Sequence, residues 1–170
     1  SLKWTAHPVT WSFDGEADIQ EGKLVVKEGA VKAGAKIRIA ENAILESEGA
    51  SLTNAVLRGN GKVVGGELVG CTVKAPLNDN DIVDADNILT INASVKDRLY
   101  FDIELPEDEV LSSPYPSNIL LAKWEGDTKV DVSKWRIKGL PGNLTSQFTA
   151  NDDGTITGSI KAEGMFLLIK

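Results

Sequence analysis

The chain has 170 residues, of which 42% are hydrophobic, and a formal net charge of -7 at neutral pH. This composition supplies a core for one domain or two small ones, whereas the acidic balance argues against nucleic acid and against an anionic membrane surface as partners. No apolar run approaches the ~20 residues that a membrane span needs, so we expect no membrane insertion. The single cysteine, Cys71, excludes an intramolecular disulfide, and its small neighbours predict a buried thiol.

Residues 1–20 carry two tryptophans, Trp4 and Trp11, that alternate with polar residues. This alternation predicts two short strands that turn at His7-Pro8. Two interpretations of the tryptophans remain open. They pack as an N-terminal cap over an exposed strand edge, or they form an aromatic platform on which a sugar ring stacks.

Residues 21–76 consist of very short β-branched runs, such as Leu24–Val26 and Ile37–Ile39, separated by glycine, asparagine or small residues. The apolar spacing of a helix is not sustained anywhere in this stretch, and its glycines would break a helix. Short strands at tight spacing are typical of stacked repeats, so this segment predicts a β-solenoid. We expect Asn54, Asn60 and the glycines in turns that need positive φ.

One part of this segment carries a family resemblance. The run Leu57-Arg58-Gly59-Asn60-Gly61-Lys62-Val63-Val64-Gly65-Gly66-Glu67-Leu68 resembles the signature of bacterial autotransporter-associated β-strand repeats, and the upstream runs Leu24–Ala30 and Ala43–Leu52 resemble the steps that precede it. The resemblance implies a right-handed parallel β-helix in a secreted or surface-displayed bacterial passenger protein. It carries over no catalytic residue and no cofactor.

Residues 77–87 form an acidic linker in which Asp and Asn alternate. Carboxylate oxygens at this density are ligands that Ca²⁺ prefers, although the spacing is not that of an EF-hand. The alternative interpretation is a solvated turn between two substructures. If calcium binds, the ligands that we predict are Asp79, Asp81, Asp84 and Asp86.

From Ile88 to Lys170 the strands lengthen and alternate more clearly between apolar and polar residues, and four prolines punctuate the loops. We expect an antiparallel β region here, either a C-terminal cap or a small sandwich. Asn151-Asp152-Asp153-Gly154 predicts a hairpin turn with Gly154 in the left-handed conformation. The ending is similar to the closing hairpin of large secreted bacterial repeat proteins, which implies that the chain is the C-terminal part of a longer polypeptide.

The residues that could carry chemistry are sparse. His7 is the only histidine, there is no His/Cys cluster for zinc, and the carboxylates are scattered over expected surface positions. We therefore expect no enzymatic activity. Carbohydrate binding stays open, because Tyr115 lies between two prolines in an expected loop and Trp124 lies at a strand end, although burial of Trp124 is the other interpretation.

Three functional hypotheses follow. The first is a non-catalytic secreted or cell-surface bacterial β-solenoid segment that acts as a scaffold or adhesin-like module for glycans or cell-surface molecules. The second is a carbohydrate-binding accessory module of a larger polysaccharide-degrading enzyme. The third is a small β-helix glycosidase or lyase. The candidate sugar-binding residues are Trp4, Trp11, Tyr115 and Trp124.

Overall fold

The structure, a computed structural model, describes residues 14–107, 109–126 and 130–163. Within these ranges the chain is all-β and builds two sheets from fourteen strands, numbered in chain order. The six-stranded sheet contains β1 (Glu16–Ile19), β3 (Lys36–Ile39), β6 (Val56–Gly59), β8 (Thr72–Lys74), β10 (Leu99–Asp102) and β12 (Trp135–Ile137).

The strands between these belong to the second sheet. They are β2 (Gly22–Val26), β4 (Ala43–Ser47), β5 (Ser51–Thr53), β7 (Lys62–Val69), β9 (Thr90–Lys96), β11 (Ile119–Trp124), β13 (Leu144–Ala150) and β14 (Thr155–Ala162). Two short 3-10 helices, Ala85–Asn87 and Val132–Lys134, lie in the connections. The described residues include no helix with the length and apolar character to cross a bilayer.

The chain passes back and forth between the two sheets, and each passage through both sheets is called a circuit below. Within the six-stranded sheet all neighbouring strands are parallel, so one residue of each circuit faces its equivalent in the next. The register joins Glu16, Lys36, Val56, Thr72, Tyr100 and Arg136, which sets successive circuits at 20, 20, 16, 28 and 36 residues.

The core is built from equivalent positions stacked on one another. One column of inward side chains on the six-stranded sheet is apolar and buried throughout: Ile37, Leu57, Val73, Phe101 and Ile137. Most of the residues that alternate with these positions are polar and at least partly exposed, as expected for a sheet with one buried face, although Val56 is apolar and Thr72 is buried. Burial of this column removes apolar area from water in every circuit and holds the sheets together.

A second buried column lies at the start of the strands of the six-stranded sheet, one residue before β3, β6 and β8 and at the first residue of β10 and β12, and its side chains increase in size along the chain. Its members are Ala35, Ala55, Cys71, Leu99 and Trp135, each fully buried. Because larger side chains fill a wider interior at the same packing density, the stack widens toward its C-terminal end.

The early circuits need glycine where neighbouring chains approach closely. A Cβ on Gly59 would lie 2.1 Å from the carbonyl oxygen of Ile39, and one on Gly61 would lie 2.3 Å from the carbonyl oxygen of Ala40. Both contacts are with backbone atoms, which cannot rotate away, so only glycine fits at this corner of the stack.

The C-terminal end of the stack is covered by a hairpin. β14 pairs antiparallel with both β11 and β13. From β13, the ring of Phe148 lies 5.8 Å from that of Phe101 and 6.1 Å from that of Trp135. The predicted hairpin turn is confirmed, since Gly154 has a φ of 81°.

Several predictions are corrected by the pairing. The antiparallel arrangement expected from Ile88 onward is wrong for β9, β10 and β12, which all pair in parallel with earlier or later circuits. Antiparallel strand pairs occur, within the described residues, only where β14 joins the sheet. Asn54 has positive φ as expected, whereas Asn60 does not.

The expected N-terminal cap over residues 1–20 is only partly described. Residues 16–19 form β1, which pairs in parallel with β3 and therefore belongs to the stack. Trp4, Trp11 and His7 lie outside the described residues, as does the C-terminal segment from residue 164 onward.

Candidate functional site

Two of the predicted sugar-stacking residues contribute to packing. Trp124 lies at the end of β11, half-buried against the main core, with its ring 6.3 Å from that of Trp135. Tyr115 is half-buried against a separate small apolar cluster that includes Ile137 and Leu144. The two aromatics therefore pack against different clusters, and neither stands out as an open platform. Trp4 and Trp11, the other two candidates, lie outside the described residues.

The predicted calcium loop is organised around an asparagine. Oδ1 of Asn78 accepts hydrogen bonds from the backbone N–H groups of Asn80 and Ile82 at 2.9 and 3.2 Å, and Leu77 and Val83 anchor the loop by burial. The four aspartates Asp79, Asp81, Asp84 and Asp86 are exposed. In the part of the chain that the structure describes, no three His, Cys, Asp or Glu side chains form a group that could hold a metal ion. The expectation of calcium at this loop therefore gains no support.

A depression of about 640 Å³ opens at the corner where three turns stack. The turns follow β5, β7 and β9, and they contribute Asn54, Gly70 and Asp97, whose φ angles are 52°, 62° and 64°. The backbone N–H of Asn54 donates to the carbonyl oxygen of Val69 at 2.8 Å, and that of Gly70 donates to the carbonyl oxygen of Arg98 at 3.0 Å. These bonds fix the turns one above another and make the floor of the depression rigid.

The third turn is longer than the second by one residue. Val69 pairs with Lys96, and Thr72 pairs with Tyr100, so Asp97 and Arg98 occupy the space that Gly70 fills alone in the preceding circuit. The glycine also leaves room for a neighbour, because a Cβ on Gly70 would lie 2.4 Å from Oδ1 of Asn54. The extra residue and the missing side chain together create the concavity.

The rim of the depression is charged and aromatic. Arg98 and Lys134 are exposed cations, and no described carboxylate lies within 4 Å of either. Asp97 supplies one negative charge and Tyr100 a half-buried ring. Hydrogen bonds from Ser133 and the charge of Lys134 lower the pKa of the nearby Asp131 carboxyl, so Asp131 offsets part of the Lys134 charge. Arg98 and the remaining charge of Lys134 favour an anionic group at the rim.

Beside the depression, the outward face of the six-stranded sheet carries a row of charges, one per strand. The register places Asp18, Arg38 and Arg58 side by side, followed by Lys74 and Asp102. Arg38 is paired with Asp18 at 3.2 Å. Lys74 is paired with Asp102 at 2.7 Å and with Glu104, and its hydrogen bonds to these two carboxylates raise the pKa of Lys74. Among the described residues, Arg58 has no carboxylate within 4 Å.

The one cysteine is part of the core and not of the depression's rim. Cys71 is fully buried, and its thiol donates to the carbonyl oxygen of Leu52 at 2.9 Å. Burial raises the pKa of the Cys71 thiol. A buried thiol with a raised pKa is a poor nucleophile, in agreement with the structural role predicted for it.

Comparison with protein-family models, with curated proteins and with solved structures gives no significant match.

Proposed function

We propose that the chain is a non-catalytic β-solenoid segment, a right-handed parallel β-helix, that acts as a scaffold and adhesin-like module of a secreted or cell-surface bacterial protein. The observation that carries the proposal is the in-register stacking of equivalent residues, in which Lys36, Val56, Thr72, Tyr100 and Arg136 follow one another across a parallel sheet. A stack of this kind holds its circuits by contacts with nearest neighbours only and suits a rigid, extended support.

The adhesin-like part of the proposal is supported by two long connections that leave one corner of the stack. Residues 75–89 and 103–118 begin side by side, since the backbone N–H of Leu77 donates to the carbonyl oxygen of Glu104 at 2.8 Å. Each connection carries one large exposed apolar side chain, Ile82 at 57% and Val110 at 80% exposure. Binding residues are often carried on loops of a rigid support, so Ile82 and Val110 are the partner contacts that the proposal names.

Deletion of one whole circuit tests the architecture. Removal of residues 36–55 joins Ala35 to Val56, which is its neighbour across the stack through the hydrogen bond from the Val56 N–H to the Ala35 carbonyl. In a solenoid, β6 then pairs with β1, and β2 pairs with β7 in place of the deleted β4. We expect a β-rich circular dichroism spectrum and a single cooperative unfolding transition, with a lower midpoint than that of the parent chain.

The matched control removes half as much. Deletion of residues 36–45 joins a position of the six-stranded sheet to one in the eight-stranded sheet, so every later strand loses its register. We expect this smaller deletion to abolish cooperative unfolding. If the two deletions are equally damaging, or the larger is the more damaging, the solenoid proposal is wrong.

Binding of the fluorescently labelled protein to intact bacterial and animal cells tests the adhesin-like role. The double change Ile82→Ser and Val110→Ser is expected to lower bound fluorescence severalfold, because it removes the two exposed apolar contacts. A Glu107→Gln variant, changed at an exposed position of the same connection, serves as the control and retains binding. Absence of cell binding by the unaltered protein, or binding indifferent to the double change, would contradict this role.

A further inference from the structure

The protein is acidic as a whole, yet one face of it is basic. The net charge is -7, but outward positions on the six-stranded sheet carry more cations than carboxylates. On the strands themselves the cations are Lys36, Arg38, Arg58, Lys74 and Arg136, and the carboxylates are Glu16, Asp18 and Asp102. Lys36, Arg38 and Lys74 are ion-paired with these carboxylates, which leaves Arg58 and Arg136 as the excess. A basic face on an otherwise acidic protein concentrates polyanions locally, even where the net charge repels them.

The corner depression joins this face, because Tyr100 belongs to both. Its backbone pairs with Thr72 and Arg136 within the six-stranded sheet, and its side chain lines the depression. Arg98 and Lys134 add two cations without a carboxylate partner among the described residues. A ligand in the depression can therefore extend from the cations at the rim to the charged residues on the outward face of the sheet.

The open shape and the mixed lining restrict the class of ligand. The depression of about 640 Å³ is open to solvent over much of its surface, so it can contact one face of a ligand but does not enclose it. The ring of Tyr100 offers an apolar face for a pyranose, and the amide of Asn54 can both donate to and accept from sugar hydroxyls. Guanidinium groups such as that of Arg98 bind carboxylates through two parallel hydrogen bonds.

The negative charge of Asp97 disfavours ligands that carry more than one negative charge. Arg98, Lys134 and Asp97 together carry one positive unit, and Asp131 offsets part of the Lys134 charge, so the rim suits no more than a single carboxylate. A phosphate dianion or a densely sulfated sugar would bring additional negative charge close to Asp97 and would be repelled. The carboxylate of Asp97 instead accepts hydrogen bonds from neutral sugar hydroxyls.

We propose that the corner depression binds a uronic acid residue of an acidic polysaccharide, with its carboxylate on Arg98 and Lys134 and its ring against Tyr100. The polysaccharide chain then continues across the strands of the six-stranded sheet, where it meets Arg58, which has no carboxylate within 4 Å among the described residues. Strands lie about 4.8 Å apart, so an extended polyanion meets one outward position per strand. This site does not depend on the scaffold proposal, since it requires only the local geometry of three turns and one sheet.

Isothermal titration calorimetry of the full chain with oligogalacturonate hexasaccharide tests the site. We expect saturable binding that weakens about tenfold or more in the double variant Arg98→Gln and Lys134→Gln, because both charged hydrogen-bond donors are lost. The control is the double variant Lys27→Gln and Lys123→Gln, which makes the same change of charge at exposed positions on other surfaces and retains the affinity. No binding by the parent chain, or equal loss in the two double variants, overturns the proposal.

Two further arms define the chemistry. The methyl-esterified hexasaccharide keeps the sugar but lacks the charge, and a heparin-derived hexasaccharide carries sulfates in addition to carboxylates. We expect both to bind at least tenfold more weakly than the oligogalacturonate, and an equal or higher affinity for either overturns the assignment to uronate.

The variant Arg58→Gln tests the path across the sheet. It is expected to weaken binding of the oligogalacturonate hexasaccharide but not of the galacturonate disaccharide, which is too short to reach Arg58. Unchanged binding of the hexasaccharide overturns the path across the sheet.

Discussion

The circuits before Thr72 and those after it alternate between the two sheets in the same way but differ in length. The early circuits take 20, 20 and 16 residues, whereas the later ones take 28 and 36. In the early circuits alanines fill the narrow column and glycines allow backbones to touch; in the later ones Leu99 and Trp135 fill a wider interior. Parallel pairing therefore tolerates a large change in circuit length, provided that the extra residues leave at a corner.

The two regions also differ in what limits their stability. Near the glycines of the early circuits, the closest contacts are between backbone atoms, so added volume is costly. At the late end, four aromatic rings pack together at centroid distances of 5.5 to 6.3 Å, so lost volume is costly. A substitution that adds volume should therefore destabilise the early circuits, and one that removes volume should destabilise the late end.

The largest effect is expected at the wide end. Trp135→Ala removes a fully buried ring that touches Phe101, Trp124 and Phe148, and we expect a loss of about 3–5 kcal/mol in the free energy of unfolding. Urea denaturation followed by far-ultraviolet circular dichroism measures it. Trp135→Phe should cost less, since it keeps most of the ring contacts and removes a buried indole N–H that has no hydrogen-bond partner among the described residues. An alanine variant within about 1 kcal/mol of the parent would show that the rings do not hold this end.

At the narrow end, the corresponding test adds volume. A Cβ on Gly61 would lie 2.3 Å from the carbonyl oxygen of Ala40 and 2.6 Å from that of Ala43, so Gly61→Ala should lower the free energy of unfolding by about 1–3 kcal/mol. In the part of the chain that the structure describes, Gly142 has no neighbouring atom within 4 Å of its Cβ position, and Gly142→Ala should stay within about 0.5 kcal/mol of the parent. Equal urea midpoints for the two variants would mean that the early circuits are not tightly packed.

Cys71 lies between the two regions and gives a pH-dependent test. Burial raises the pKa of its thiol above the ordinary value of 9.0, so the folded state keeps the proton while the unfolded state loses it. The contribution to stability is therefore complete below pH about 9 and falls as the pH rises further. Urea midpoints of the parent chain and of Cys71→Ala at pH about 8 and about 10 measure it. The parent should lose more than the variant does, and parallel losses would contradict a buried thiol.

The smallest effects are expected from surface ion pairs. Lys74 binds two carboxylates and is less exposed, so Lys74→Gln should lower the free energy of unfolding by about 1 kcal/mol. Lys36 and Glu16 are 62% and 70% exposed, and Lys36→Gln should leave the urea midpoint unchanged. Measurement at low and high salt sharpens the contrast, because only the Lys74 variant should differ from the parent at both. A larger loss from Lys36→Gln would reverse the ranking.

Much of the early region could be predicted from the sequence, because its signals are local. The glycines at 22, 29, 34, 49, 59, 65, 66 and 70 do adopt positive φ, whereas Gly61, like Asn60, does not. Cys71 is buried as expected. Strand direction in the later region could not be predicted. Alternation in β9 and β10 specifies which face is buried but not which neighbour pairs with it or in which direction.

The depression was missed because its residues come from three turns that are brought together by circuits of unequal length. A weak signal is nevertheless present. Leu52-Thr53-Asn54, Leu68-Val69-Gly70 and Val95-Lys96-Asp97 each end an apolar strand with a residue that accepts the left-handed conformation. Lys134 carries no such signal, since only the length of the last circuit brings it to the same corner.

The graded column from Ala35 to Trp135 has a consequence for how the chain finds its alignment. Parallel strands of similar sequence can slide by one repeat and still satisfy their backbone hydrogen bonds, which makes regular stacks prone to misassembly. Here a slide of one step would force Leu99 into the space of Cys71, or leave a void where Trp135 belongs. The increase in side-chain size from Cys71 through Leu99 to Trp135 disfavours such a slide in the later circuits, by overpacking in one direction and by a void in the other, whereas Ala35 and Ala55 do not distinguish the first two circuits.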